Sequence, residues 1–103
     1  MELQAQGIQS DERFTEAYVH NRSQKGYGPV RIMQELSDRD IERTLASRYI
    51  NPRDNYWLDR ARQVREKRFG TELPGEYKEK ARQSRFLQYR GFTHEQIRYS
   101  LQD

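Results

Sequence analysis

The chain has no cysteine among its 103 residues, which excludes a disulfide framework and any thiol chemistry. Histidine is nearly as scarce. His20 and His94 stand alone, neither with a second histidine at ligand spacing, so no metal site is expected. His94 falls inside a capping sequence, where a solvated histidine is the plain reading. No apolar run approaches the roughly 20 residues that cross a bilayer, and Met1 to Ser10 lacks the pattern of a signal peptide. A soluble, cytoplasmic protein with no membrane partner is expected.

Marks of catalysis are missing too. Carboxylate pairs such as Asp11 and Glu12 read as helix-dipole partners, not as an acid–base couple. Gly26-Tyr27-Gly28 lacks the preceding strand and the spacing of a phosphate loop. There is no nucleophile elbow and no triad order. No catalytic residue, cofactor or small-molecule substrate is expected, and the protein is not read as an enzyme.

Apolar residues make up only 33% of the chain and charged residues 34%, which brings Leu, Ile, Val and Phe near the level of disordered chains. Two features oppose disorder. The net charge is only +3, and twelve aromatics each bury a large area. The expectation is a folded domain with a thin core.

The hydrophobic period is helical almost throughout, with no two-residue alternation. Ser10 or Asp11 reads as the cap of a first helix, on which Phe14, Ala17 and Tyr18 share a face. Gly26 and Gly28 end it, and Pro29 opens a second helix with Ile32, Met33 and Leu36 buried. Ser37 to Asp40 is a turn, followed by a third helix carrying Ile41, Leu45 and Tyr49. Pro52 breaks the pattern. A fourth helix runs from about Asp54 to Arg68 with Trp57, Ala61 and Val64 inward. After a loop at Thr71 to Gly75, a fifth helix presents Tyr77, Ala81, Ser84 and Leu87, with Phe86 alongside, and ends at Gly91. Thr93 to Gln96 is a capping box opening a sixth helix with Ile97 and Leu101.

The helices group as three plus three. Lys25-Gly26-Tyr27-Gly28 and Lys67-Arg68-Phe69-Gly70 lie forty-two residues apart, each a basic, aromatic and glycine corner between helices. The fold expected is all-α: tandem three-helix repeats of about six helices packed side by side, at 10–50 and 51–103, with 1–9 as the remnant of a preceding repeat.

Basic residues gather at these corners. Arg22, Lys25 and Arg31 flank Tyr27, and Arg62, Arg65, Lys67 and Arg68 surround Phe69. Arg82, Arg85, Arg90 and Arg98 continue the theme beside Tyr89 and Tyr99. Arginine outnumbers lysine, which suits bidentate contact with carboxylates and phosphates. Each residue singly reads as part of a solvated face. The set reads as a binding surface, with Arg22, Lys25, Arg31, Arg85 and Arg90 as candidate partner contacts.

Ser10 to Phe14, Arg22-Ser23-Gln24-Lys25-Gly26-Tyr27-Gly28-Pro29-Val30-Arg31-Ile32, Gln34 to Leu36, Lys67 to Gly70, Leu73-Pro74 and Arg85 to Phe92 closely resemble the bacterial RecX family of regulatory proteins. The resemblance implies stacked three-helix repeats that bind the RecA recombinase filament in its groove. It further implies lowered strand exchange, ATP turnover and co-protease activity, in control of recombination, DNA repair and the SOS response. Some family members also bind DNA, single- or double-stranded. Such members usually have three repeats. Asp40 departs from the family by standing where a glycine commonly follows a basic residue, so that turn is expected to be rebuilt with Asp38 or Asp40 as a cap. Two other readings stand beside the regulator: a general nucleic-acid-binding helical domain, and a structural fragment without activity alone.

Overall fold

A computed structural model describes residues 2–102, with side-chain surroundings from Asp11 onward. The described residues form six helices and no strand: α1 (Glu2–Gln24), α2 (Pro29–Asp38), α3 (Arg43–Ala46), α4 (Asn55–Phe69), α5 (Tyr77–Arg90) and α6 (His94–Ser100). They build a rod with extents of 59 × 19 × 18 Å. None of the helices is long and apolar enough to cross a membrane.

The first helix does not begin at Ser10 or Asp11. It runs unbroken from Glu2, because the residues before Ser10 include no proline and the cap-forming side chains there are tolerated within a helix. Thr15 instead returns its hydroxyl to the Asp11 carbonyl one turn back, at 2.6 Å. The buried face is also turned from the Phe14–Ala17–Tyr18 stripe. Thr15, Val19 and Ser23 face inward, whereas Phe14 stays 42% exposed and rests against Tyr18. Two short helices cover only a narrow stripe of α1, and small residues let them approach closely.

Ile32 and Leu36 of α2 are fully buried, as the period predicts. The third helix is a single turn, and its inward residues are Ala46 and the following Ile50, with Leu45 and Tyr49 half-buried. In α5 the sequence misplaces the core by part of a turn. Gln83 and Leu87 are buried, while Tyr77 stands in solvent. Trp57, Ala61 and Val64 of α4 pack inward, Asp54 caps that helix, and the Thr93–Gln96 capping box opens α6.

Three helices end in the same six-residue motif. After α1 the Tyr27 N–H reaches the Arg22 carbonyl and Gly26 takes a φ of 94°. After α5 the Phe92 N–H reaches the Leu87 carbonyl and Gly91 takes a φ of 99°. After α2 the Ile41 N–H reaches the Leu36 carbonyl, and the left-handed residue is Asp40, with a φ of 63°. The turn is therefore not rebuilt around a cap. Aspartate accepts the conformation glycine would take, because its short side chain is among those that tolerate it. Leu36 with Ile41, and Leu87 with Phe92, supply the hydrophobic pair that closes the motif.

The repeat is clearest at this second corner: Arg39-Asp40-Ile41 matches Arg90-Gly91-Phe92, with Leu36 and Leu87 fifty-one residues apart. Along the first helices the offset is forty-two, pairing Thr15 with Trp57, Val19 with Ala61 and Ser23 with Arg65, all buried. The extra residues lengthen the end of α4, the loop after it and the start of α5. In consequence the first corners differ. Gly70 leaves α4 with a ψ of 172° and no such motif.

The two repeats meet corner to corner. Gly28 donates its N–H to the Arg90 carbonyl at 2.7 Å, and Val30 to the Gly91 carbonyl at 2.9 Å. A Cβ on Gly28 would lie 2.5 Å from the Gly91 carbonyl, and one on Gly91 would lie 2.3 Å from Cβ of Arg31. Arg60 reaches over from α4 to the Ser23 and Gln24 carbonyls. Replacing Gly91 with alanine combines a strained φ with this clash and costs about 3 kcal/mol or more. Gly70→Ala meets nothing within 4 Å and pays only for a backbone conformation, φ 93° and ψ 172°, that is nearly closed to residues with a Cβ, about 1–3 kcal/mol. Urea midpoints at constant slope measure both, and equal losses in the two variants would contradict the corner contact.

Candidate partner-binding face

A continuous run of guanidinium and aromatic groups crosses the joint. Arg82 stands 5.0 Å from the Phe69 ring centroid, and Arg68 stands 5.5 Å from Phe69 and 5.6 Å from Phe86. Arg90 lies 5.1 Å from Phe86 and 4.9 Å from Tyr27. Arg22 and Arg31 approach the same Tyr27 ring at 3.9 and 4.7 Å, and Arg31 also reaches Tyr89. Each such contact stabilises by about 0.5–1 kcal/mol at an exposed site and more where water is excluded.

Glu35 anchors the α1–α2 end of this run. Its carboxylate accepts a two-pronged contact from Arg22, Nε at 2.9 Å and Nη2 at 2.8 Å. It also accepts from the Tyr18 hydroxyl at 2.8 Å and from Arg31 Nε at 3.2 Å. Partial burial pushes the Glu35 pKa up, but the hydrogen bonds from Arg22, Tyr18 and Arg31 outweigh it and hold the group below its ordinary value of 4.5. The same hydrogen bonds raise the guanidinium pKa of Arg22 and Arg31. Burial first, then the bond to Glu35, raises Tyr18.

Beside the joint lies a cleft of about 270 Å3 between the end of α1, α4 and α5. Lys25, Arg60, Lys67, Arg68 and Arg90 line it, over Val64 and Phe86, and no carboxylate does. Arg60 is fully engaged with the Ser23 and Gln24 carbonyls and with Gln63. Arg90 gives one Nη to the Lys25 carbonyl at 3.1 Å. The side chains of Lys25, Lys67 and Arg68 make no hydrogen bond or ion pair with any described residue.

The five expected contact residues thus divide. Arg22 and Arg31 are held by Glu35 and Tyr27, and Arg31 also reaches the Tyr89 carbonyl at 3.2 Å. Lys25 and Arg85 are exposed and unpaired among the described residues, and Arg90 straddles cleft and joint. Lys25 and Arg90 share the cleft, whereas Arg85 lies outside it. Lys67 and Arg68, first read as a second corner of their own, meet Lys25 in one cleft. Glu35 escaped notice altogether. Its signal was the four-residue spacing of Tyr18 to Arg22 and of Arg31 to Glu35, which sets those groups on facing helix surfaces. Arg62 and Arg65 point away from Phe69, toward the end of α6. Arg62 donates to the Tyr99 and Gln102 carbonyls, and Arg65, 1% exposed, donates to Ser100.

Comparison with known proteins gives a consistent result. Residues 10–49 match the second three-helix domain of RecX, and residues 54–101 match its third. The chain is 42% identical over 96 residues to the regulatory protein RecX of Halorhodospira halophila, covering 93% of this chain and 60% of that protein. It is 39% identical to that of Serratia proteamaculans, over 90% of this chain and 55% of the relative. With that of Acinetobacter baylyi the identity is 43%, over 88% and 56% respectively. The chain therefore spans somewhat over half the length of these curated relatives.

Because the folded-state pKa of Glu35 is depressed, its contribution to stability is present above the ordinary glutamate value of 4.5 and is lost as pH falls through the folded value. Glu35→Gln removes the carboxylate from two arginines and lowers stability at neutral pH by about 1–3 kcal/mol. Urea denaturation between pH 7 and 3 checks this. The difference between the parent and the variant narrows as pH drops below 4.5, and a constant difference would contradict it.

Proposed function

Because the chain belongs to the RecX family, we propose that it is a non-enzymatic, cytoplasmic regulator that binds the RecA recombinase filament. Its effect is to restrain the filament, lowering recombination, ATP turnover and co-protease activity in DNA repair and the SOS response. The observation that carries the reading is the shape and charge of the rod. A body of 59 × 19 × 18 Å, crossed at its joint by arginines and exposing unpaired cations, suits a long groove beside a polyanion.

A rod fixed at its joint by two backbone hydrogen bonds can bridge neighbouring protomers and oppose the movements of nucleotide turnover. In this reading Lys25, Arg85 and Arg90 touch the filament. Arg22 and Arg31 act from beneath, holding Tyr27 and the first corner in place. Complementary charge of this kind speeds encounter and sets register more than it adds affinity. The second reading, a nucleic-acid-binding helical domain, is favoured by the alternation of arginine with aromatic rings, which bases can stack on. Nineteen basic residues against sixteen acidic ones weigh against it.

The test is RecA ATP hydrolysis and filament growth on single-stranded DNA, with and without the polypeptide. Inhibition is expected, and Lys25→Glu with Arg85→Glu should weaken it about tenfold or more while leaving the thermal transition unchanged, since each reversal costs more than 1 kcal/mol at a desolvated contact. Full inhibition by the folded double variant removes these residues from the surface. Tight binding to DNA alone, steep in salt, supports the second reading instead.

A further inference from the structure

The cleft at the joint, whose Lys25 and Arg90 the filament reading already uses, is also built to hold a small anion. Five cations face a volume of about 270 Å3 with no carboxylate among its lining residues. Several arginines elsewhere have a carboxylate partner: Arg22 and Arg31 share Glu35, Arg48 has Glu12 and Arg82 has Glu79. None of the five cations of the cleft has one among the described residues. Like charges gathered over an apolar floor repel one another, and a bound anion relieves that repulsion.

Donors for such an anion are in place. Lys25 and Lys67 have free ammonium groups, and Arg68 is held flat by Phe69 and Phe86 with its N–H groups unengaged. Arg90 is fixed by its bond to the Lys25 carbonyl, which leaves the rest of its fork available. Gly26 turns the corner at the edge of the cleft with a φ of 94°, a conformation that residues with a Cβ rarely take; the space itself would admit one, at ordinary contact distances of 3.4 Å from Val64 and 3.5 Å from Arg90 Nη1.

We infer that this cleft binds a phosphate monoester of mononucleotide size. A carboxylate would bring one charge to several cations. A phosphate monoester brings a charge of about −1.5 to −2 and three strong acceptor oxygens, which matches several converging donors. The volume exceeds what the phosphate alone fills, and Phe86 and Val64 offer an apolar floor to whatever the phosphate carries. This inference is independent of the filament reading, since it concerns the protein alone in solution.

The experiment is thermal denaturation and isothermal titration of the protein by adenosine 5′-monophosphate, inorganic phosphate, adenosine and chloride, at matched ionic strength. The mononucleotide should raise the melting temperature saturably, because a ligand bound only by the folded state stabilises it. Inorganic phosphate should do so equally or more weakly, and adenosine and chloride should not. Equal affinity for phosphate and mononucleotide would assign the site to the phosphate group alone. Tighter binding of the mononucleotide would assign the floor to its nucleoside. Lys67→Gln with Arg68→Gln should weaken binding at least tenfold, the loss expected for a charged hydrogen bond. Lys25→Gln, at an exposed position, serves as a second variant, and Arg85→Gln, outside the cleft, should bind as the parent does. A response no greater than that to chloride, binding undiminished in the cleft variants, or binding only of an oligonucleotide would overturn the inference.

Discussion

Guanidinium groups that end on backbone carbonyls hold this molecule together where apolar side chains are few. Arg60 donates to the carbonyls that close α1, Arg62 and Arg65 to those that close α6, Arg31 to Tyr89 and Arg90 to Lys25. Each acceptor lies in or just beyond the last turn of a helix, where carbonyls have no partner within the helix and the dipole is negative. A lysine could offer charge there but not a planar fork that serves two carbonyls at once. Fifteen of the nineteen basic residues are arginine, and the structure uses that preference.

Buried Arg65 shows how far this goes. It occupies the place that Ser23 holds in the first repeat, at the same forty-two-residue offset. Ser23 needs only the Tyr56 hydroxyl as a partner. A buried guanidinium needs much more, because an uncompensated charge there is costly. The second repeat provides it: the Ser100 carbonyl at 2.8 Å, Gln83 at 3.3 Å, and the Gly70 and Glu72 carbonyls of the lengthened loop at 3.5 and 3.4 Å. The stretch that spoils strict repetition adds the longer contacts of this set, and the closest ones come from α6 and α5. The two repeats thus share a fold and differ in what fills their centres.

Sequence reasoning read the helices well where glycine, proline or a cap punctuates them, as at Gly26, Pro29, Asp54 and Gly91. It failed where burial depends on a partner far along the chain. Nothing local marks Thr15 or Gln83 as buried, or Phe14 and Tyr77 as exposed, because the deciding neighbours come from other helices. The same holds for the candidate face. The basic corners were legible as clusters in sequence. That Arg22 and Arg31 turn inward to Glu35, while Lys25 meets Lys67 and Arg68, depends on how one repeat docks on the next. Asp40 lies between these cases. Its departure from glycine was visible, but its acceptance of the left-handed conformation required the Leu36–Ile41 pair that locks the turn.

Pairing arginine with carbonyls has a consequence that pairing it with carboxylates would not have. A carbonyl satisfies the donors without cancelling the charge, so an arginine can complete the fold and still contribute to the field outside. Arg90 does both, joining the repeats through Lys25 and facing the cleft with the rest of its fork. Short, partly buried contacts of this kind are screened little by salt, whereas the field that attracts a distant polyanion falls within about 8–10 Å at physiological ionic strength. The fold should therefore tolerate salt that abolishes association. Glu35 works in the opposite way. It neutralises Arg22 and Arg31 and fixes the Tyr27 corner, while the cations that line the cleft keep no carboxylate partner among the described residues.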